Sequence, residues 1–259
     1  MTVESISNIE RQQRILQFLN QQERISVIEI CEMFSISEAT ARRDLEVLTE
    51  QNFIRRVHGG AISLKQAPPE SPIVQRETKQ AEEKRRIGKA AANLIQNGQS
   101  IFLGSGSTVL EVARELRNYK DLTIITNSLP VLNTLSRLKD ITVIALGGML
   151  RESELSFIGH ITEQALGEIR VDKVIIGIHA IHLDHGLTND YLPETMTDRA
   201  ILKAGNEVVV VADHTKINIV STAFLAPVNS INKLITDQDT PIDFIASLEN
   251  LGIEVVVAS

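Results

Sequence analysis

The sequence predicts a two-part α/β protein, in which a small helical N-terminal domain precedes a larger domain built on a mostly parallel sheet. Three observations support this fold class. Apolar residues recur at helical spacing over the first 50 residues, a segment with three prolines follows, and short apolar runs then alternate with amphipathic segments. A chain of 259 residues can hold a domain of about 60 residues and another of about 190. We therefore expect domains at residues 1–64 and 79–259, joined by a linker at residues 65–78.

The composition is that of an ordinary globular protein, with 43% hydrophobic and 23% charged residues. No stretch approaches the roughly 20 uncharged apolar residues of a membrane helix, and the first ten residues lack the basic and apolar regions of a signal peptide. The single cysteine, Cys31, cannot form an internal disulfide. These observations predict a protein of the reducing cytoplasm. The net charge of −7 argues against nucleic-acid binding over the whole surface.

Three helices are expected in the N-terminal domain. The apolar spacing predicts helices over residues 8–20 and 27–34, and their buried faces would carry Ile15, Phe18, Leu19, Val27, Ile30, Cys31 and Phe34. After a turn at residues 35–37, the Ser37 hydroxyl is a good N-cap for a third helix, because it can accept a hydrogen bond from a free amide of the first turn. The buried face of this third helix would carry Ala41, Leu45 and Leu48.

Two short helices joined by a three-residue turn are typical of a helix-turn-helix, whose second helix enters the major groove of DNA. A β-hairpin, or wing, should follow, because residues 53–57 and 61–63 flank a turn with two glycines. Residues 1–64 hold seven basic and nine acidic side chains, so DNA binding would depend on a local basic face. The residues expected there are Ser37, Thr40, Arg42, Arg43, Arg55, Arg56 and His58. A dimerisation module with solvated arginines is the alternative.

Two runs of this region resemble a known family. Residues 37–48, with Thr40-Ala-Arg-Arg-Asp-Leu at their centre, and residues 53–61, Phe-Ile-Arg-Arg-Val-His-Gly-Gly-Ala, look like the recognition helix and wing of the DeoR-type repressors. One departure is Asn52, where that family usually has glycine. Asparagine tolerates a left-handed backbone, so we expect the turn before the wing to persist. The resemblance implies a DNA-binding transcriptional repressor.

The segment at residues 65–78 contains Pro68, Pro69 and Pro72, which is typical of a linker. A helix over residues 81–95 follows. Short apolar strands are then expected at residues 101–103, 122–126, 142–146, 173–178, 207–212, 233–236 and 254–257. Amphipathic helices are expected between most of them, at residues 108–117, 130–138, 162–168, 194–204 and 242–250. This alternation predicts a parallel sheet covered by helices on both faces.

Ligands in such sheets bind at the carboxyl ends of the strands, and those ends are polar here. The first strand runs into a glycine- and hydroxyl-rich loop at a helix N-terminus, which can bind an anion through backbone amides: Gly104, Ser105, Gly106, Ser107 and Thr108. Later strand ends contribute Asn127, Gly147 with Arg151 beyond it, and Lys216. We expect a site for a monophosphate, since the loop lacks both the third glycine of a dinucleotide fingerprint and the Gly-Lys-Ser/Thr of a P-loop. A tight turn that binds nothing is the alternative.

The resemblance extends over residues 81–237, and the effector domain of DeoR-type repressors is similar to ribose-5-phosphate isomerase. It implies that residues 104–108 and Lys216 hold the phosphate of a sugar-phosphate effector. The positions of two catalytic aspartates are Ile176 and His179 here, and Ile176 cannot move a proton, so no enzyme activity is expected. Glu194 would bind a hydroxyl of the effector. The implied partners are operator DNA and a sugar phosphate, with no cofactor and no membrane, and the chain is expected to form a homo-oligomer.

Other interpretations of the second domain stay open. His179, His182 and His185 are spaced by three, with Asp184 beside them, so they could hold zinc or iron, although a hydrogen bond from His179 to the ligand is the preferred interpretation. The protein could also be a sugar-phosphate isomerase or deaminase with a DNA-binding head. Finally, the second domain could only oligomerise.

Overall fold

The structure is a computed structural model that describes residues 7–22, 24–50, 53–63 and 65–259. It forms two compact units, Met1–Gln66 and Ala67–Ser259. Asn52, the departure noted above, lies outside the described residues. Within the described part of the chain, no helix is long and apolar enough to cross a bilayer.

The first unit has the predicted three helices and hairpin. Its elements are α1 (Asn8–Gln22), β1 (Arg24–Ser26), α2 (Val27–Phe34), α3 (Glu38–Glu50), β2 (Ile54–Val57), β3 (Gly60–Ser63) and the two-residue strand β4 (Lys65–Gln66). Strands β1, β3 and β2 form an antiparallel sheet in that order. The strand β1 was not predicted, because three residues are too few to show an alternating pattern. The expected core is present, although Phe18, Cys31 and Phe34 are only partly buried against it.

Side-chain caps fix the start of both helices of the helix-turn-helix. Ser26 and Glu29 form a reciprocal capping box at α2. At α3, the Ser37 hydroxyl accepts a hydrogen bond from the Thr40 amide at 3.3 Å, as the sequence predicts. The chain between them turns through Ser35, which has a left-handed backbone with φ of 52°. These caps fix where α2 and α3 begin, and residues 37–39 at the start of α3 are exposed.

The second unit contains helices on both faces of a central sheet. Its helices are α4 (Ile73–Arg76), α5 (Ala81–Ala92), α6 (Ser107–Glu115), α7 (Leu129–Leu135), α8 (His160–Gly167), α9 (Leu192–Leu202) and α10 (Ile242–Asn250), with short 3₁₀ turns at Leu116–Asn118, His214–Lys216 and Val228–Ser230. Its strands are β5 (Ser100–Leu103), β6 (Leu122–Thr126), β7 (Ile141–Ala145), β8 (Met149–Arg151), β9 (Ser156–Ile158), β10 (Val171–Gly177), β11 (Ala180–His182), β12 (Gly186–Asn189), β13 (Gly205–Val211), β14 (Ile219–Val220), β15 (Ala223–Ala226), β16 (Lys233–Asp237) and β17 (Glu254–Ala258).

The central sheet has seven parallel strands in the order β17-β16-β13-β10-β5-β6-β7. Successive residues of each strand face opposite cores, so Val174 and Ile176 of β10 pack with α8, α9 and α10, whereas Ile175 packs with α5, α6 and α7. All seven predicted strands form this sheet. The covered, two-sided sheet confirms the predicted fold class.

Two small antiparallel elements were not predicted. One is the hairpin β8–β9, and the other is the three-stranded sheet β11-β12-β15. Their strands are only three or four residues long and have no long apolar run, so their pattern does not stand out in the sequence. Both small elements contribute residues near the carboxyl ends of the central strands.

The proline-rich segment is folded where it enters the second unit. The Ala67 amide donates to the Val220 carbonyl at 2.8 Å, and the Ile73 amide donates to the Ser153 carbonyl at 2.8 Å. Ile73 is buried at the start of α4. The predicted linker at residues 65–78 thus contains a helical turn and two anchoring points, which its composition does not show.

Candidate functional site

The first unit presents a basic face formed by α3 and the wing. Arg42 and Arg43 are exposed on α3, and Arg55 and His58 are exposed on the hairpin. The Arg56 guanidinium donates to the Arg42 carbonyl at 3.3 Å, which joins the wing to the first turns of α3. The structure therefore brings the predicted DNA-contacting side chains of helix and wing to one surface. Two of them also have local roles, because Ser37 caps α3 and Arg42 forms an ion pair with Glu38 at 3.1 Å.

The second unit contains a cavity of about 210 Å³ at the carboxyl ends of β5, β10 and β13. The chain proceeds from β5 outward to β6 and β7, and then returns to β10 on the other side of β5 before continuing to β13 and β16. This reversal between β5 and β10 leaves a crevice in which the connecting segments diverge. The cavity is thus located where an open parallel sheet is expected to bind a ligand.

The loop after β5 forms one wall of the cavity. Gly104 follows the strand, and a Cβ atom there would lie 3.1 Å from the Ile176 side chain, so the close approach to β10 favours glycine. Gly106 precedes α6 with a φ of 112°, a conformation that other residues rarely adopt. Ser107 and Thr108, which open α6, line the cavity, and the free amides of a helix N-terminus can donate hydrogen bonds to an anion.

Four cationic side chains line the same cavity, namely Arg76, Lys79, Lys84 and Lys216. Lys216 is delivered by the 3₁₀ turn after β13, whose N-cap Asp213 accepts a hydrogen bond from the Thr215 amide at 3.0 Å. The Lys84 ammonium is buried and donates to the carbonyls of Arg76 and Lys79, each at 2.7 Å. Burial lowers the pKa of Lys84, although Asp213 nearby opposes that shift.

The carboxylate of Glu70 lies among these cations. Its Oε1 atom is 2.6 Å from the Arg76 guanidinium and 3.4 Å from the Lys216 ammonium, and its Oε2 atom is 3.4 Å from Nδ1 of His179. Burial alone would raise the pKa of Glu70, but His179, Arg76 and Lys216 outweigh it and lower the pKa to about 2. Both ring nitrogens of His179 are buried without a hydrogen-bond partner among the described residues. The site therefore binds one anionic group of the protein itself and retains an unused donor or acceptor.

Three further carboxyl groups face the cavity with raised pKa values. Glu194 and Asp198 are one turn apart on α9, and Glu154 lies between β8 and β9. Burial raises the pKa of Glu194 well above its ordinary value and that of Asp198 to about 7, and it also raises the pKa of Glu154. Carboxyl groups in this range can exist as neutral acids, so they can both donate to and accept from hydroxyl groups.

Eight of the eleven predicted effector-binding residues line this cavity: Gly104, Ser105, Gly106, Ser107, Thr108, His179, Glu194 and Lys216. The other three do not. Asn127 is buried and donates to the Phe157 carbonyl, and Gly147 accepts from the Thr162 hydroxyl. Both follow β6 and β7, which lie beyond β5 and away from the crevice. Arg151 reaches the cavity only through its ion pair with Glu194, and it also stacks over Tyr191.

The sequence analysis missed several residues that line the cavity, including Glu70, Arg76, Lys84, Glu154 and Asp198. Glu70 and Arg76 fall in the segment interpreted as a linker, and Lys84 looks like an ordinary surface residue of α5. The three prolines beside these charged residues are the signal that could have located them, because proline restricts the backbone and can fix the conformation of a short segment.

The three histidines considered as a metal site do not converge in the described part of the chain. His179 faces the cavity, while the His182 ring accepts from the Asp184 amide at 3.1 Å and packs edge-on against His185. A different group, His214, Asp237 and Asp239, has ligand atoms close enough for a metal ion. However, the Asp237 carboxylate already accepts from the amides of His214 and Asp239, so these contacts explain its geometry.

Comparison with known proteins identifies both units. Residues 11–67 match the DeoR-like helix-turn-helix domain, and residues 79–238 match the DeoR C-terminal sensor domain. The transcriptional repressor AccR of Agrobacterium fabrum is 34% identical over 235 residues, which cover 90% of this chain and 91% of the relative. The glycerol-3-phosphate regulon repressor of Escherichia coli is 35% identical over 245 residues, covering 95% of this chain and 97% of the relative.

Among solved structures, the chain is similar to ribose-5-phosphate isomerase A from Neisseria gonorrhoeae, with 20% identity and a TM-score of 0.41, over 54% of this chain and 55% of that one. The family assignment rests on the two domain matches and on the full-length repressor relatives, not on this weaker likeness. The chain belongs to the DeoR family, with a helix-turn-helix domain followed by the family's C-terminal sensor domain.

Proposed function

We propose that the protein is a cytoplasmic transcriptional repressor that releases its operator when a phosphorylated sugar or polyol binds the cavity. The observation that carries the proposal is the cavity itself, in which a glycine-rich helix N-terminus and four cations meet on a chain that also bears a basic helix-turn-helix face. Such a combination suits a phosphate ester as effector. The DNA-binding role is assigned to residues 1–64, and the sensing and oligomerising roles to residues 79–259.

The chemistry of the cavity narrows the effector class. Its cations and the loop after β5 suit a phosphate group, and the carboxyl groups of Glu194 and Asp198 suit hydroxyl groups, with which they can form hydrogen bonds. A cavity of about 210 Å³ is small, so the effector should be a compact molecule with one phosphate and several hydroxyls. The name of the E. coli relative, a glycerol-3-phosphate regulon repressor, makes glycerol 3-phosphate one member of the test panel.

Repression would require two copies of the chain on DNA. Helix-turn-helix proteins bind paired half-sites with paired recognition helices, so we propose a homo-oligomer on a palindromic or repeated operator. The effector would bind more tightly to the arrangement that does not fit DNA. Bound effector would then lower the affinity for the operator by the same factor by which bound operator lowers the affinity for the effector.

The proposal is tested in two steps with the full chain. A random duplex library is first selected for binding, and the enriched duplex is measured by fluorescence anisotropy at several salt concentrations. It is then challenged with a panel of sugar and polyol phosphates, each beside its unphosphorylated form and beside inorganic phosphate. We expect salt-dependent binding and release by one phosphate ester but not by its unphosphorylated form. The proposal would be contradicted if no duplex were enriched, or if none of the phosphate esters released the bound duplex.

A second candidate, turnover of sugar phosphates, is not favoured. Ile176 contributes only an apolar side chain to the cavity wall, and the carboxyl groups that remain, Glu194 and Asp198, lie on α9. Incubation of the same panel with the protein, followed by chromatography, checks this directly. Conversion of any ester that Glu194→Gln abolishes would favour an enzyme.

A further inference from the structure

The segment that covers the cavity has an unusual arrangement of charge. Pro68 and Pro69 are exposed, yet the side chain of the next residue, Glu70, turns inward and is only 8% exposed. Its backbone amide donates to the Asp190 carboxylate at 2.9 Å, which fixes the turn that points the side chain into the cavity. A surface segment therefore delivers a single carboxylate into the cation cluster.

We propose that Glu70 is a built-in competitor of the effector, and that the phosphate group binds by displacing its carboxylate from Lys216, His179 and Arg76. This inference rests on the proposed function of the cavity. A carboxylate and a phosphate oxygen recognise the same donors, and Glu70 already occupies those of Arg76 and Lys216 and lies against the His179 ring. A phosphate that entered beside an undisplaced Glu70 would place two anions in one poorly solvated site, which is unfavourable.

The contacts of the segment show how much of it can move. Its fixed points are the Ala67 and Ile73 amides, which donate to the Val220 and Ser153 carbonyls. Between these points, the Glu70 side chain binds Arg76 and Lys216, and its amide donates to Asp190. The Ser71 hydroxyl also accepts a hydrogen bond from Lys79 at 3.2 Å. Loss of the Glu70 side-chain contacts therefore frees that side chain to leave the cavity while the ends of the stretch stay anchored and the sheet stays folded.

Arg76 and Lys84 would remain in place when Glu70 leaves. Arg76 keeps its second ion pair with Glu154, and the Lys84 ammonium holds the carbonyls of Arg76 and Lys79. The cation cluster is thus preserved for the phosphate. The stretch ends at the Ala67 anchor, which directly follows Gln66, the last residue of the first unit, so Glu70 lies close along the chain to the connection between the two units.

The test compares binding of inorganic phosphate and of the sugar and polyol phosphates to the full-length wild type, Glu70→Gln and a matched control. Glu77→Gln serves as the control, because Glu77 is in the same segment and pairs with Arg114 at 2.9 Å but does not line the cavity. If Glu70 occupies the anion position nine-tenths of the time, its loss should tighten binding about tenfold. We expect this for Glu70→Gln and an unchanged dissociation constant for Glu77→Gln.

Equal or weaker binding by Glu70→Gln, with a wild type that binds, would overturn the competitor role while leaving the effector site intact. No binding of any phosphate compound by either protein would instead remove the proposed function, and the competitor role with it.

A second variant covers a failure of Glu70→Gln to fold. The sequence has no tryptophan, so Pro69→Trp introduces a single tryptophan, which can be excited selectively, at an exposed position beside an unaltered Glu70. Displacement of Glu70 should change the tryptophan emission at the same concentration of phosphate compound that raises the unfolding temperature of the protein. An emission spectrum that stays constant while the unfolding temperature rises would show that the ligand binds without moving the segment.

Discussion

The guanidinium of Arg11 donates two hydrogen bonds to the carboxylate of Asp44, at 2.6 and 3.1 Å, in the interior of the first unit. Both side chains are less than a tenth exposed. Gln12 adds a third donor to the same carboxylate at 3.0 Å. This pair joins α1 to α3, so the helix that carries Arg42 and Arg43 is held by a buried charge contact as well as by apolar packing.

Removal of one partner should destabilise the first unit. Asp44→Ala leaves the Arg11 guanidinium buried without its counter-ion, which typically costs about 3–5 kcal/mol. We expect a lower unfolding temperature of the DNA-binding unit and loss of operator binding. Calorimetry of the full chain measures the first, and anisotropy the second. The exposed pair Arg14–Glu10 provides the control, since Glu10→Ala should change stability by less than about 1 kcal/mol.

Arg43 is expected to contact the DNA backbone. Arg43→Ala should weaken binding to all duplexes by a similar factor, and it should reduce the slope of log K against log salt by about 1. Anisotropy at four or more salt concentrations measures that slope. Arg85→Ala, which removes an exposed arginine of α5, should leave it unchanged. Equal slopes for wild type and Arg43→Ala would contradict the contact.

Lys216 should supply part of the effector affinity. A hydrogen bond to a charged group contributes about 1.5–3 kcal/mol, so Lys216→Ala should raise the dissociation constant of the active phosphate ester by roughly 10- to 100-fold. Affinity for the unphosphorylated form should not change. Ligand-induced thermal stabilisation is the measurement, with the exposed Lys89→Ala as control. Unaltered affinity in Lys216→Ala would exclude this lysine from phosphate binding.

Asp198 should make stability depend on pH. Its pKa is raised by burial to about 7, above its ordinary value of 3.8, so the folded state binds the proton more tightly than the unfolded state. This contribution is fully present below pH 3.8 and is lost as pH rises toward 7. Asp198→Asn should therefore gain stability relative to wild type as pH rises from 5 toward 7, by about 1.4 kcal/mol per pH unit. Thermal unfolding at each pH measures it. An offset between the two proteins that stays constant with pH would argue against the shift, as would a similar gain in the exposed Asp140→Asn.

The packing of the wing against β1 should require glycine at position 60. A Cβ atom at this position would lie 2.1 Å from the Ile25 carbonyl oxygen in the paired strand β1, so the strands could not keep their spacing. Gly60→Ala should lower the unfolding temperature of the first unit and weaken DNA binding, with an expected loss of about 1–3 kcal/mol. Gly167→Ala, where the added atom meets nothing within 4 Å, is the control. A wild-type melting curve for Gly60→Ala would contradict this reasoning.

The elements that could be predicted from the sequence are those whose pattern is local. Apolar spacing locates α2 at residues 27–34, and two-sided apolar runs locate all seven strands of the central sheet, because side-chain burial follows directly from helix and strand periodicity. The glycine-rich loop after β5 is equally local. Thus the fold class and the glycine-rich wall of the cavity follow from short stretches of residues.

The features that could not be predicted depend on contacts between residues that are distant in the sequence. Arg11 and Asp44 are 33 positions apart, and Glu70 and Lys216 are 146 positions apart, so no spacing rule links them. Asn127 and Gly147 end strands as predicted, but the strand order places β6 and β7 on the outer side of β5. Which strand ends meet at one crevice is a property of topology, and the sequence pattern does not contain it.

The separation of the cavity walls along the chain also has a consequence for synthesis. The first unit ends at Gln66, whereas the cavity lacks Lys216 until most of the second unit has been made. At about 5–20 residues per second, ribosomes need roughly 10–40 s to add the remaining chain. During that interval the nascent chain holds all residues of the helix-turn-helix unit but not all residues of the cavity. The first unit can therefore be complete before the cavity exists.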